Sequence, residues 1–68
     1  MHPATAAILE FFKYTHLPPY LQDVSGACAS LAKEMAENLP ESAETTAGLR
    51  KLLEAKDCFV RAALTRTK

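Results

Sequence analysis

Apolar residues recur at three- and four-residue spacing along two long stretches of the chain, the pattern of one face of a helix. In the middle stretch these positions are Leu21, Val24, Cys28, Leu31, Ala32, Met35 and Leu39. In the last stretch they are Leu49, Leu52, Leu53, Val60, Ala63 and Leu64. The pattern predicts helices over about 19–38 and 41–65, the second roughly 36 Å long at 1.5 Å per residue. Lys56 falls on the apolar face of this last helix, where a core would usually have a leucine.

A shorter helix is predicted over about 3–15, with Pro3 in its first turn, a position that proline tolerates. Its apolar residues spread over most of the circumference, which indicates burial on most sides. They are Ile8, Leu9, Phe11 and Phe12. Two arrangements satisfy this pattern: contact with another subunit, or packing across a hairpin formed by the two longer helices.

Two short segments separate the predicted helices. His16-Leu-Pro-Pro19 predicts a rigid corner, because both prolines fix φ and the residue before a proline avoids the helical region. Between the longer helices, either Asn38 or Ser42 is a suitable N-cap for the helix that follows. The short link at this point predicts an antiparallel pair.

These elements define an all-α fold: a short N-terminal helix plus a long antiparallel helical hairpin, in a single domain over residues 1–68. A chain of 68 residues buries only about 60% of its unfolded surface. The last helix is too long for the remaining chain to cover, so we expect assembly as a homo-oligomer.

A row of small residues follows the second helix beside its apolar face and ends in a lysine. The row comprises Ser25, Gly26, Ala29, Ser30 and Lys33. Glycine inside a helix costs about 1 kcal/mol relative to alanine. We therefore expect either another helix backbone or a ligand to approach this face closely.

Composition and residue spacing argue against a DNA-binding, membrane-spanning or metal-binding protein. Eight acidic and eight basic residues cancel, and a helix-turn-helix DNA binder would need a basic recognition helix. There is no run of 18 apolar residues and no signal peptide, so we expect a soluble intracellular protein without membrane contact. We expect Cys28 and Cys58 to be unpaired. The spacing of cysteine and histidine gives no metal motif.

Binding fits the polar residues better than catalysis. His16 is a candidate general base but has no nucleophile or orienting carboxylate near it in sequence. We expect neither an enzyme nor a cofactor. Tyr14 and His16 present flat groups that can stack on a nucleobase. Lys33, Arg61 and Arg66 can contact phosphate.

Three segments resemble a known family. They are FFKYTHLPPYLQDVSGACASLAKEM, then LPES, and then LRKLLEAKDCFVRAAL. Together they are similar to the phage anti-CBASS cyclic-nucleotide sponges, whose helical-hairpin domain is shared with a group of anti-Thoeris proteins. The resemblance runs from Phe11 to about Arg66. Its most recognisable parts are the tyrosine-histidine-proline bend, the Leu-Pro turn and the segment from Leu49 to Ala55.

The resemblance implies a homo-hexamer of interlocked hairpins that sequesters cyclic dinucleotides without cleaving them. Some members hold cyclic trinucleotides in separate pockets. Such a protein would act as a phage immune-evasion factor in the cytoplasm of the infected bacterial host. Its partners would be cyclic oligonucleotides and further copies of itself, with no DNA involved.

Carried over by position, the resemblance assigns the cyclic-nucleotide site to the bend and the second helix. Tyr14 matches the stacking tyrosine, and His16 and Pro18 match the loop after it. Where the family has a basic phosphate-binding residue, this chain has Ser25, with Lys33 two turns later. Arg61 and Arg66 are near the basic position of the trinucleotide pocket. The alternative is a small helical oligomer that acts as a protein-binding adaptor, indicated by the apolar first helix and the small-residue face.

Overall fold

The computed structural model describes residues 2–66, with the side chain of Arg66 outside the description. The role predicted for Arg66 therefore falls outside the described residues. Within this range the chain forms α1 (Pro3–Glu10), α2 (Pro19–Asn38) and α3 (Ala43–Arg66), with no strand. The predicted all-α class is confirmed. The molecule measures 41 × 18 × 17 Å, and its long dimension follows from the 24 residues of α3.

α2 and α3 form the predicted antiparallel hairpin. Val24, near the start of α2, shares a groove with Ala62 and Ala63 near the end of α3. Met35, near the end of α2, shares another groove with Thr45 near the start of α3. The two helices make the most extensive contact in the molecule, and α1 packs on both of them. Within the chain, α1 therefore packs across the hairpin, which is one of the two arrangements that its apolar pattern allows.

α1 ends at Glu10, so the predicted helix over 3–15 was too long. After Glu10 the chain tightens into turns whose hydrogen bonds span three residues. The N–H of Phe12 donates to the carbonyl of Leu9 at 3.0 Å, and that of Lys13 to the carbonyl of Glu10 at 3.4 Å. The early end frees the following residues to place Phe12 in the core and Tyr14 against α2.

The predicted corner is confirmed at Pro18 and Pro19. Pro18 caps α2 with φ −57° and ψ 151°, and Pro19 is the first helical residue. The side chain of Gln22 reaches back from the first turn of α2, with Nε2 donating to the carbonyl of Leu17 at 2.7 Å and to that of Thr15 at 3.4 Å. The corner is therefore held by α2 itself as well as by its prolines.

Ser42, rather than Asn38, caps α3. Its Oγ accepts a hydrogen bond from the N–H of Thr45 at 3.1 Å, which satisfies one of the free donors at the helix start. The hydroxyl of Thr45 donates to the carbonyl of Pro40 at 2.8 Å. The link 39–42 is therefore short and closed by its own hydrogen bonds, and α3 begins two residues later than predicted.

Five buried side chains form a hydrophobic cluster where the three helices meet: Ile8, Phe12, Cys28, Ala32 and Leu49. Cys28 belongs to this cluster, whereas Cys58 is exposed, and both thiols are free, as predicted. In the described part of the chain, no helix has the length and apolar character needed to span a membrane.

Several leucines assigned to the apolar faces are more than 40% exposed, whereas the periodic pattern predicts that they are buried. They are Leu31, Leu39 and Leu64. α1 covers only part of the hairpin, so the apolar stripe of α2 and α3 is wider than the surface available to bury it. Phe11 and Phe59 are exposed as well.

Glu41, in the link between α2 and α3, accepts two hydrogen bonds from the start of α1. Its Oε1 accepts from the N–H of His2 at 3.0 Å, and its Oε2 accepts from the hydroxyl of the buried Thr5 at 2.9 Å. The backbone hydrogen bond from His2, followed by that from Thr5, lowers the pKa of Glu41. Both bonds favour the charged carboxylate over the protonated form.

We expect Glu41→Gln to weaken the fold at neutral pH and to flatten its acid denaturation profile. A carboxyl whose pKa is lowered in the folded state stabilises that state at pH values above its ordinary pKa of 4.5. That contribution is lost as the pH falls through the lower folded value. Urea unfolding followed by circular dichroism between pH 7 and pH 2.5 measures this dependence.

Glu34→Gln is the matched control, because Glu34 is exposed on the surface of α2. This control should keep the wild-type acid profile. An unchanged acid profile in Glu41→Gln would show that the bonds to His2 and Thr5 do not contribute to stability.

Candidate ligand-binding site

A cleft of about 530 Å³ opens where the end of α1, the corner, the start of α2 and the last third of α3 meet. We call it the bend cleft. Its charged lining residues are Glu10, Lys13, Lys56, Asp57 and Arg61, and its other lining residues are Phe11, His16, Leu17, Ser25 and Val60. Apolar walls with a few charged groups are typical of small-molecule sites, and the volume falls within their usual range.

Ser25 lines this cleft with a hydroxyl that lacks a partner. Its side chain is 1% exposed, and Oγ makes no hydrogen bond in the described part of the chain. A serine within a helix often bonds the carbonyl four residues earlier, and this one does not. Leaving such a group buried costs about 1–3 kcal/mol. Because the hydroxyl is closed to solvent, a ligand reaches it only when the side chains lining the cleft shift.

The charges around the cleft leave a cationic surplus. Lys13 pairs with Glu10 at 2.8 Å, and Lys56 pairs with Asp57 at 3.3 Å. Arg61 forms no ion pair within the described residues, and its Nη2 donates instead to Sγ of Cys58 at 3.4 Å. Three cationic side chains thus face two carboxylates. The cleft favours an anionic ligand.

Tyr14 packs against α2 at the only glycine of that helix. A Cβ placed on Gly26 would lie 3.3 Å from Cε2 and 3.5 Å from Cζ of the Tyr14 ring. The glycine therefore makes room for an aromatic side chain of the same chain. The small residues of this face predicted close approach by another helix backbone or a ligand, whereas the group that contacts Gly26 is a tyrosine ring.

Tyr14 also lines a second, shallower cleft of about 310 Å³, which we call the Tyr14 cleft. Its lining residues are Leu9, Phe12, Lys13, Tyr14, Ala29, Lys33 and Glu37. Lys13 contributes to both clefts. The two clefts are therefore neighbours that share the segment leading into the bend.

The structure divides the residues predicted for the cyclic-nucleotide site between these clefts. It brings His16 and Ser25 together in the bend cleft and joins Arg61 to them, although Arg61 was assigned to a separate pocket. Tyr14 and Lys33 lie together in the Tyr14 cleft. Pro18 is exposed and lines neither cleft; its carbonyl accepts from the N–H groups of Leu21 and Gln22 at the start of α2.

Two cationic residues of the bend cleft, Lys13 and Lys56, were not predicted as site residues. The position of Lys56 on an apolar helix face was the available signal. Nζ of Lys56 donates to the carbonyl of Phe11 at 3.1 Å, at the C-cap of α1. For Lys13 no comparable signal exists, because its role depends on where α1 stops.

Among the described residues, no group of three or more histidine, cysteine, aspartate or glutamate side chains is arranged to hold a metal ion. The chemistry available at the bend cleft is recognition of an anion beside apolar walls. No protein-family model, curated protein or solved structure matches the chain. The assignment of function therefore depends on the geometry of the two clefts and on the resemblance noted in the sequence.

Proposed function

We propose that this chain binds cyclic di- or trinucleotides and sequesters them without cleaving them. The observation that supports the proposal most directly is the bend cleft, where an unpartnered hydroxyl, surplus positive charge and apolar walls occur together. A cyclic nucleotide has matching parts, because its phosphodiester oxygens are anionic acceptors and its bases have flat apolar faces.

Each part of the ligand has a counterpart in the cleft. Phosphodiester oxygens can accept from Arg61 and from the hydroxyl of Ser25, and charge-assisted hydrogen bonds are about twice as strong as neutral ones. A base can stack on the His16 ring or pack against Leu17. The bend is held by Gln22, so this part of the site is formed before the ligand arrives, which lowers the entropic cost of binding.

The biological role follows from the resemblance rather than from the cleft. We propose a phage-encoded immune-evasion protein that removes CBASS signals in the cytoplasm of the infected bacterial host. In this role the protein needs no catalysis, since tight binding alone keeps the signal from the effector. A homo-hexamer, as in the sponge family, would provide several clefts in each particle.

A second candidate is a protein-binding adaptor. Leu31 and Phe59 are exposed apolar side chains, and they line two grooves of the hairpin away from the bend cleft. An apolar groove of this kind can accept apolar side chains of a partner helix. An adaptor of this kind requires no ligand in the bend cleft, and this difference separates the two proposals.

Isothermal titration calorimetry against 3′,5′-cyclic di-AMP, cyclic di-GMP, cyclic GMP–AMP and cyclic tri-AMP tests the proposal. We expect saturable binding of at least one of them and recovery of the intact nucleotide after the protein is denatured. If no member of the panel binds at high micromolar concentration, the nucleotide proposal fails and the adaptor becomes the better interpretation. Recovery of a linear product would contradict sequestration.

We expect Ser25→Ala to separate binding from stability. The substitution removes a buried hydroxyl that has no partner, so the free protein should melt at the same temperature or a higher one. Affinity should fall about 10- to 100-fold, the effect of losing a hydrogen bond to a charged group of about 1.5–3 kcal/mol. Thermal melting and calorimetry on the same sample provide both measurements.

The matched control is Ser30→Ala, because Ser30 is exposed on the same helix. It should leave affinity unchanged. If Ser25→Ala binds as tightly as the wild type, the ligand does not use this buried hydroxyl.

A further inference from the structure

Lys56 connects the bend cleft to α1. Its side chain is only 15% exposed, and its Nζ donates to the carbonyl of Phe11 at 3.1 Å. That carbonyl belongs to the C-cap of α1, where a helix leaves its carbonyl groups without internal partners. One lysine of α3 thus donates to a carbonyl at the end of α1 and also lines the cleft.

The ammonium of Lys56 has capacity for another acceptor. It carries three donors, of which one goes to Phe11 and a second faces Asp57 Oδ1 at 3.3 Å. The carboxylate of Asp57 is half exposed, so water competes for it. The remaining donor is available to a ligand in the cleft that Lys56 lines.

We infer that Lys56 binds the anionic group of the ligand while it still holds the carbonyl of Phe11, so that ligand binding and the docking of α1 stabilise each other. This inference rests on the proposed nucleotide function. The lysine side chain is largely buried, and its bond to the carbonyl of Phe11 positions the ammonium before the ligand arrives. Lys13 is offset by Glu10, so Arg61, which has no ion pair within the described residues, supplies the positive charge that counters repulsion of the ligand by Asp57.

The coupling follows from linkage. When α1 undocks, Lys56 loses the acceptor that fixes its position, and the cleft loses the wall formed by Phe11. A ligand that binds the docked form better must in turn hold α1 in place by the same factor. The end of α1 should therefore open less often in the complex than in the free protein.

Hydrogen–deuterium exchange of the unaltered protein tests this directly. The probe is 3′,5′-cyclic GMP–AMP, or the panel member that binds more tightly, at about 100 times its Kd. We expect amides of residues 8–12 to exchange at least about tenfold more slowly in the complex, as mass action on the docked form requires. Amides of residues 43–48, at the other end of α3, should change much less.

Lys56→Met provides the second arm, because it keeps the apolar stem and removes the ammonium. Affinity should fall about 10- to 100-fold, and residues 8–12 should exchange faster even without the ligand. Lys56→Arg, which keeps a cationic donor, should recover most of the affinity. Lys51→Met is the control on the same helix, since Lys51 is exposed, and it should bind as the wild type does.

The outcomes separate the two proposals. If the unaltered protein binds no panel member, the nucleotide function fails and this inference fails with it. If the protein binds but the amides of residues 8–12 are not protected, only the coupling is overturned. Binding by Lys56→Met within threefold of the wild type would likewise overturn the role of Lys56, and the exchange arm requires no variant to fold.

Discussion

Leu49→Ala is expected to remove a large part of the stability of the fold. Leu49 is 2% exposed and lies in the cluster where all three helices meet. Removing a buried leucine side chain costs about 2–5 kcal/mol, because the cavity collapses only partly. The whole chain should have a stability of only about 3–10 kcal/mol at typical values per residue. Urea denaturation followed at 222 nm measures the loss.

The control for this experiment is Leu31→Ala, made at a protein concentration low enough to prevent association. Leu31 is 44% exposed on α2, so the loss should stay below about 1 kcal/mol. Equal losses from the two variants would mean that the three-helix core does not carry the stability of the fold.

Ala32→Leu is expected to destabilise the chain by about 1–3 kcal/mol for the opposite reason. Ala32 is 0% exposed in the same cluster, and the added carbons have no space unless a helix moves. Alanine and leucine are both strong helix formers, so the loss reports packing rather than helix propensity. Thermal melting measures it, and two-dimensional NMR should show shifts for residues on all three helices.

Ala27→Leu makes the same change at an exposed position of α2. This control should remain within about 0.5 kcal/mol of the wild type. A tolerated leucine at position 32, with wild-type melting, would show that the helices do not approach each other closely at this point.

The hairpin could be predicted from the sequence because its signals are local. The three-and-four spacing of Leu21, Val24 and Cys28 identifies α2 without knowledge of its partner. Pro18 and Pro19 fix the corner through their own rings, and a few residues between the long helices permit only an antiparallel return. In each case the residues that determine a structural feature lie within a few positions of that feature.

The end of α1 and the depth of the core could not be predicted in this way. Phe11 continues the apolar run of α1, yet it is 67% exposed, because the helix stops and only one side faces the hairpin. Leu31 and Leu39 match the periodic pattern as well as Ala32 does. Which of them is buried depends on where α1 crosses the hairpin, and this is a long-range property.

The sequence predicted individual residues of the candidate site but not how the fold groups them. His16 and Ser25 were assigned to the same site, and they share the bend cleft. Arg61 was assigned elsewhere, because its height along α3 relative to the bend depends on the packing of the hairpin. Lys56 was recognised as anomalous on its helix face, but its acceptor, the carbonyl of Phe11, became available only because α1 ends early.

The contact between Tyr14 and Gly26 has a consequence for the shape of the Tyr14 cleft. The ring lies on α2 at Gly26 and forms part of the wall of that cleft. A Cβ at position 26 would lie 3.3 Å from Cε2 of the ring, so a side chain there would press on the ring and displace it. The hydrogen atom of Gly26 thus fixes how closely the tyrosine can approach α2, and with it the width of the Tyr14 cleft.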